Sequence, residues 1–304
     1  MRILPICVLA IFLSSCSSAN DDIPGKFIWV GIHSTSRADL ILREGSKTKI
    51  LGQGYREAVL SPDGNQIAAI TIKEKVYSLA LLAIDGTTSH SFEMNYPPHD
   101  LAWVNGKIYY VVPQGDGTHS TIYAYDPLSG AETELMQADA EFNILDFAIS
   151  PDESRVAYYV MSDDAKQRVL YVRTIAGALV RRVSNDASNP IWLENGKKLA
   201  YFTTRDESGQ IVSKSGLIFS YDLESGKKTL IERRTFHSMY TKLKLSKDEK
   251  YFYASGPAQK GGGLVICFWP VGQPDKLIQV SAPPHKIDPR RWSLDLNPDW
   301  YQGN

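Results

Sequence analysis

Six histidines and three cysteines are the side chains of this 304-residue chain best suited to metal binding or nucleophilic chemistry. Imidazole is a good ligand for transition metals. A thiol becomes a nucleophile only where a positive, partly exposed setting holds it as thiolate. Cys267 lies inside the apolar run Leu264-Val265-Ile266-Cys267-Phe268-Trp269, so it reads as a small buried hydrophobe. The chain has no G-x-S-x-G nucleophile elbow, no H-E-x-x-H and no paired C-x-x-C. Gly52-Gln53-Gly54 begins like a dinucleotide-binding loop but lacks the third glycine and a following helix. The charge is balanced, 33 Lys and Arg against 34 Asp and Glu. That excludes a nucleic-acid binder working through a basic face. No cofactor is implied. What chemistry remains depends on which elements bring the histidines and their polar neighbours together.

The first element is an address. Arg2 is followed by the uncharged apolar run Ile3 to Leu13, too short to span a bilayer, which needs about 20 residues. It reads as a secretory leader. Its end, Leu13-Ser14-Ser15-Cys16, resembles the bacterial lipobox, in which cleavage falls before the cysteine and the thiol is acylated. The resemblance implies a signal peptide over residues 1–15, a lipidated Cys16 and a short polar tether over residues 16–25. Cys7 then leaves with the leader and Cys16 carries lipid, so no intramolecular disulfide can form. A multiply acylated terminus stays anchored, at about 0.8 kcal/mol per buried methylene. Ser17, standing where an Asp resembles an inner-membrane retention signal, favours the outer membrane over the inner.

The body, residues 26–304, is a repeat. Its first phrase is a strand, a polar tight turn and an apolar strand: Ala58-Val59-Leu60-Ser61-Pro62-Asp63-Gly64, then Gln66-Ile67-Ala68-Ala69-Ile70. The phrase returns with its turn at Gly106, Glu153, Gly196 and Glu249, at spacings of 42, 47, 43 and 53 residues. Pro presets φ, Asp or Asn caps the turn, and Gly takes a positive φ. A second phrase turns at Gly45, Gly86, Gly130, Gly177, Gly226 and Gly272. Two hairpins per period make four strands per period. Four-stranded units every 40 to 50 residues predict an all-β fold, a six-bladed β-propeller in one domain. Near the end, Leu294-Asp295-Leu296-Asn297-Pro298-Asp299-Trp300 reads like Val59 to Gly64, while Lys26-Phe27-Ile28-Trp29-Val30 is second-strand material. The C-terminal strand is therefore expected to complete the first blade, which removes the open edges of a linear array.

The Ser-Pro-Asp-Gly turn followed by Ile67-Ala68-Ala69 or Val156-Ala157-Tyr158 resembles the propeller repeat of the TolB family. The resemblance covers nearly the whole body. Members that carry an α/β domain ahead of the propeller differ from this chain, which leaves no room for one between tether and first strand. Some enzymes with such propellers, oligogalacturonate lyase among them, hold a metal through histidines at the channel.

In a propeller the connections between blades, and the middle turn within each blade, emerge on one face. Here the connectors carry Tyr55, Arg56, Tyr96, His99, Phe236, His237, Tyr240, His285, Arg290 and Arg291, and the middle turns add His33 and His119. Three readings follow. Loops collect polar residues on any face, which would make the grouping incidental. Tyr, Arg and Phe are favoured anchors at protein interfaces, which would make these ten residues a binding surface. Or His99, His237 and His285 converge on a metal or small ligand at the channel mouth. The leading expectation is a lipid-anchored, periplasm-facing monomeric propeller that binds an envelope protein or peptide. It touches the membrane only through its anchor, takes no nucleic acid, and has no catalytic residue and no metal. The alternative is a lyase- or lactonase-type propeller enzyme with its site at the channel mouth.

Overall fold

The computed structural model describes residues 25–34, 37–45, 47–114, 119–138, 143–162, 167–206, 208–211, 216–234, 242–246, 248–257, 264–273, 276, 278–281 and 299–301. The expected leader, Cys16 and the expected tether up to residue 24 lie outside them. Blade 1 contains β1 (Lys26–Ser34), β2 (Arg37–Glu44) and β3 (Lys47–Gln53). Blade 2 contains β4 (Tyr55–Leu60), β5 (Gln66–Lys73), β6 (Val76–Ala83) and β7 (Thr88–Met94). Blade 3 contains β8 (His99–Val104), β9 (Lys107–Pro113), β10 (Ser120–Asp126) and β11 (Ala131–Gln137). Blade 4 contains β12 (Asn143–Ile149), β13 (Arg155–Ser162), β14 (Gln167–Thr174) and β15 (Leu179–Ser184). Blade 5 contains β16 (Ser188–Leu193), β17 (Lys198–Thr203), β18 (Gly216–Asp222) and β19 (Lys228–Arg234). Blade 6 contains β20 (Lys244–Leu245), β21 (Tyr251–Pro257), β22 (Leu264–Pro270) and β23 (Ile278–Ser281), and β24 (Asp299–Tyr301) returns to blade 1. Among the described residues these strands make six antiparallel four-stranded sheets, one of them ordered β24-β1-β2-β3. The chain is an all-β, six-bladed propeller closed by its C-terminal strand.

Two-sided burial explains the ring. Along β5, Ile67 and Ala69 pack into a cluster with Ile28, Val30 and Leu40 of blade 1. Their neighbours Ala68 and Ile70 pack into the next cluster, with Leu101, Ile108 and Tyr110 of blade 3. Side chains alternate across a strand, so a strand apolar at every position must be covered on both faces. The described core divides into such interfaces, blade against blade. The last joins Phe27, Trp29 and Ile41 of blade 1 to Tyr253, Ile266 and Phe268 of blade 6. Cys267 is buried at the interface of blades 5 and 6 with Phe252 and Trp269. Each large side chain buried there stabilises by about 1.5–3 kcal/mol.

The strand–turn–strand phrase has a common bonding scheme. Ser61 Oγ donates to Asp63 at 2.5 Å and accepts the Gln66 N–H at 2.9 Å. Ser150 repeats this with Asp152 at 2.5 Å and Arg155 N–H at 2.9 Å. Ser246 does so with Asp248 at 2.7 Å and Tyr251 N–H at 2.9 Å. The turn needs a left-handed residue at its fourth place, met by Gly64 (φ 68°) but also by Glu153 (φ 53°) and Glu249 (φ 57°). Both glutamates are used. Tyr109 donates to Glu153, and Glu249 accepts the Glu194 N–H at 2.9 Å, so each ties its turn to the preceding blade. Further staples on this turn face run from Lys26 to Gly64 O and from Arg155 to Gly196 O.

The closing strand lies later than expected. Trp300 pairs with Phe27 and Tyr301 with Lys26, so the strand occupies residues that by analogy belong to a turn. Elsewhere the turn exists to connect the first two strands of a blade. In blade 1 those strands come from opposite ends of the chain, no turn is needed between them, and the aromatic pair Trp300-Tyr301 is free to be strand.

Removing residues 299–304 is expected to leave β1 with an open edge and to lower the thermal midpoint, with aggregation on heating. Ser150→Ala, which deletes two turn bonds, is expected to cost roughly 1–2 kcal/mol, or about 2–6 °C in Tm for a chain of this size. Calorimetry checks both.

Candidate functional site

The six inner strands run from the connector face to the turn face and line the central channel. Their registers share an anchor: Leu60 opposite Ile67, Trp103 opposite Ile108, Ile149 opposite Val156, Trp192 opposite Leu199, and Leu245 opposite Phe252. Three residues before each anchor stands a polar residue: Glu57, Asp100, Asp146, Asn189 and Lys242. In blade 1 the equivalent residue is Asn297, outside the described residues. In blades 2 to 5 the inner strand slips register at this point, between Tyr55 and Glu57, His99 and Ala102, Ile144 and Asp146, and Ser188 and Ile191. One extra residue on the inner strand makes a bulge, which re-aims side chains and locally ends pairing. Asp100 (φ 58°) and Asn189 (φ 53°) take the left-handed conformation to make it.

The result is a polar ring at the connector end of the channel. The Glu57 carboxylate accepts the N–H groups of Asp100 and Leu101 from the next blade, at 2.8 and 3.0 Å. Asn189 reaches back one blade to donate to Asp146 at 3.2 Å. Asp146 also accepts the Phe147 N–H at 2.9 Å. Lys242 comes from blade 6, opposite blade 3 in the ring. Its ammonium pairs with Asp100 and lies 3.7 Å from Glu57, so it reaches across the channel end. Below the ring a cavity of about 280 Å³ runs along the inner strands, lined by Asp100, Asp146, Lys242, Lys244 and apolar residues from Val59 to Ile191.

The expected binding residues divide into three groups. Arg56, Tyr96 and His99 lie on the connector face, Tyr96 43% and His99 39% exposed. Arg56 donates to Tyr77 Oη at 3.3 Å. Tyr55 is only 8% exposed. Its ring packs on Gly52, whose place a Cβ would contest at 3.0 Å, so it belongs to the core between blades 1 and 2 and not to the loop surface. The connector there is Gly54 alone (φ 84°), which is what Gly52-Gln53-Gly54 serves. Phe236, His237, Tyr240, His285, Arg290 and Arg291 lie outside the described residues. Among the described residues no group of three His, Cys, Asp or Glu side chains could hold a metal ion. Sequence reading named the connectors but passed over Glu57, Asp100, Asp146, Asn189, Lys242 and Lys244. Counting back from the buried anchor would have found five of them.

No protein-family model matches this sequence, and no curated protein matches it. Solved structures do. TolB from Acinetobacter baumannii aligns over 92% of this chain and 67% of its own, with a TM-score of 0.65 at 14% identity. The fold is that of a TolB-like six-bladed propeller. A chain of the nidogen/laminin complex aligns over 92% of this chain and 100% of its own, with a TM-score of 0.58 at 10% identity. Oligogalacturonate lyase in complex with manganese aligns over 75% of this chain and 67% of its own, with a TM-score of 0.51 at 14% identity. Identities at this level establish the fold and leave the site to be argued from the residues.

In this TolB-like propeller the ring is electrostatically uneven. Desolvation by the walls of the mouth, with Lys242 nearby, pulls the His99 pKa down to about 4 although water still reaches the ring. His99 is therefore neutral at pH 7 and donates Nδ1–H to Asp100 at 2.8 Å. Desolvation raises Asp146 to about 7; Glu57 pushes the same way, and the Phe147 N–H, Lys244 and Asn189 oppose it. Asp146 is enclosed by protein while one side faces the cavity. Tyr159, opposite it in the sheet, is pushed up by burial and then by the Asp146 charge.

Two outcomes follow. Lys242→Met leaves Glu57 and Asp100 without their shared cation and is expected to cost about 3 kcal/mol in urea unfolding. A carboxyl raised from about 4 to about 7 binds its proton more tightly in the folded state, so its contribution is full below pH 4 and is lost as pH rises through 7. The Tm of Asp146→Asn should therefore gain on that of wild type between pH 4 and pH 8. A constant difference would show that Asp146 ionises normally.

Proposed function

We propose that this chain is a lipid-anchored, periplasm-facing binding module that engages an envelope protein or peptide through the connector face of its propeller. The carrying observation is the polar ring. Polar side chains from five blades meet at one end of the channel, beside exposed Arg56 and Tyr96 and half-buried His99. The opposite face is occupied by turn-to-turn staples. An aromatic and mixed-charge rim around a concave centre is the composition that protein interfaces favour. The anchor reading comes from Leu13-Ser14-Ser15-Cys16; the short tether reaches no more than about 3.5 Å per residue and joins the body at Lys26 on the turn face, which keeps the body close to the membrane with the ring on its far side. The lyase- or lactonase-type reading draws no support from His99, whose Nδ1 is engaged by Asp100.

A photo-crosslinking residue at position 96, in intact cells, is expected to trap a reproducible envelope partner that disappears when Arg56 is replaced by Glu. Absence of any reproducible adduct from positions 56, 96 and 99 would overturn the reading. Acyl labelling is expected to vanish in Cys16→Ser, and labelling that persists would remove the anchor.

A further inference from the structure

The channel end already contains an example of what its carboxylates bind. The Lys242 ammonium sits on Asp100 and Glu57, carboxylates offered by the bulged strands of blades 2 and 3. Asp146 stands at the same register in blade 4, on the same kind of bulge. Its oxygens accept the Phe147 N–H and the Asn189 amide, and among the described residues no cation lies within ion-pair distance of it. Lys244 acts on it electrostatically without forming a pair. Among the described residues the charged and titratable groups around it are Glu57 on β4, His99 and Asp100 on β8, Tyr159 on β13 with Arg168 of β14 acting on it, and Lys242 and Lys244 at β20. Among the described residues three carboxylates face Lys242 and Lys244 here, with His99 neutral.

The adjoining cavity is about 280 Å³, just under the range of about 300–1,000 Å³ typical of pockets for drug-sized ligands. It suits one side chain or chain end. The bonds that Asp146 already makes leave an oxygen with accepting capacity toward it, since a carboxylate has about four lone-pair sites. We propose that Asp146, backed by Asn189, is a recognition site for an alkylammonium group entering from the connector face, carried by a lysine or terminal amine of a peptide or by a small free amine. The proposal rests on the reading of that face as a peptide-binding surface and names the group it grips. An ammonium requires Asp146 in its ionised form, so binding expels the proton that burial retains, and affinity rises as pH passes from 5.5 to 8.

Calorimetric titration of the full-length protein with acetyl-Gly-Lys-Gly-amide, its norleucine isostere and butylamine tests this. The lysine peptide is expected to bind, the norleucine peptide to bind at least about tenfold more weakly, and Asp146→Asn to remove that difference. The pH dependence reads the same group in unaltered protein, so the test does not depend on the variant folding. Butylamine binding weaker than the lysine peptide assigns the site to a chain-borne amine, and equal binding assigns it to a free one. Equal affinity for lysine and norleucine peptides, or lysine-peptide affinity unchanged from pH 5.5 to 8, would overturn the proposal. Crosslinking from position 96 that survives in Asp146→Asn would leave the binding-face reading standing while this site falls. Amine binding without any crosslinked partner would do the reverse.

Discussion

Every blade of this propeller is apolar on both faces, and the rest of the structure depends on that constraint. A sheet such as β4 to β7 places Ile67 and Ala69 against one neighbour and Ala68 and Ile70 against the other. Neither face can be left to water, so each blade needs two partners, and a finite set satisfies this only by closing. Closure is made twice, by β24 pairing with β1 and by Phe27, Trp29 and Ile41 packing on Tyr253, Ile266 and Phe268. The second contact buries apolar side chains of both blades, and the first removes the free edge.

Once the blades are arranged radially, their inner strands crowd an axis where only small or well-partnered side chains fit. Toward the turn face the lining is apolar, with Val59, Ala102, Ala148 and Ile191. At the connector end the bulges of blades 2 to 5 break the alternation and turn one polar residue in each toward its neighbours. A buried carboxylate is costly unless bonded or paired. Glu57 meets this with two backbone N–H groups and Lys242, and Asp100 meets it with Lys242 and His99. Asp146 has two hydrogen bonds and, among the described residues, no cation at ion-pair distance, and burial makes it hold its proton more tightly. Among the described residues the two ends of the channel thus differ in kind, stapled and apolar at one, charged at the other.

The blade count, the two turn classes and the closure by the last strand were legible because they rest on local chemistry that repeats: Ser, Pro, Asp and Gly at fixed turn places, with alternation beside them. The burial of Cys267 was legible from its apolar neighbours. The closing strand was placed a few residues early because similarity to Val59–Gly64 carried a turn into the one blade that needs none. The polar ring was hidden by two features. Turn length varies between Ser61–Gly64 and the tighter Asn105-Gly106, so distances counted from the glycines drift. Each bulge also shifts the inward face by one residue, which alternation cannot foresee. Tyr55 illustrates the second effect: counted as connector, it is the first residue of β4 and lies in the core. Lys242 answering carboxylates across the ring is a contact between distant parts of the chain, and no local pattern announces it.

The most direct measurement is the carbon-13 titration of the Asp146 carboxyl in selectively labelled protein, identified by its absence in Asp146→Asn. A midpoint near 7 is the expected result, because desolvation by burial holds the proton there. A midpoint near 4 would contradict the picture of a desolvated carboxyl at the channel end, and with it the reason for placing the binding function there.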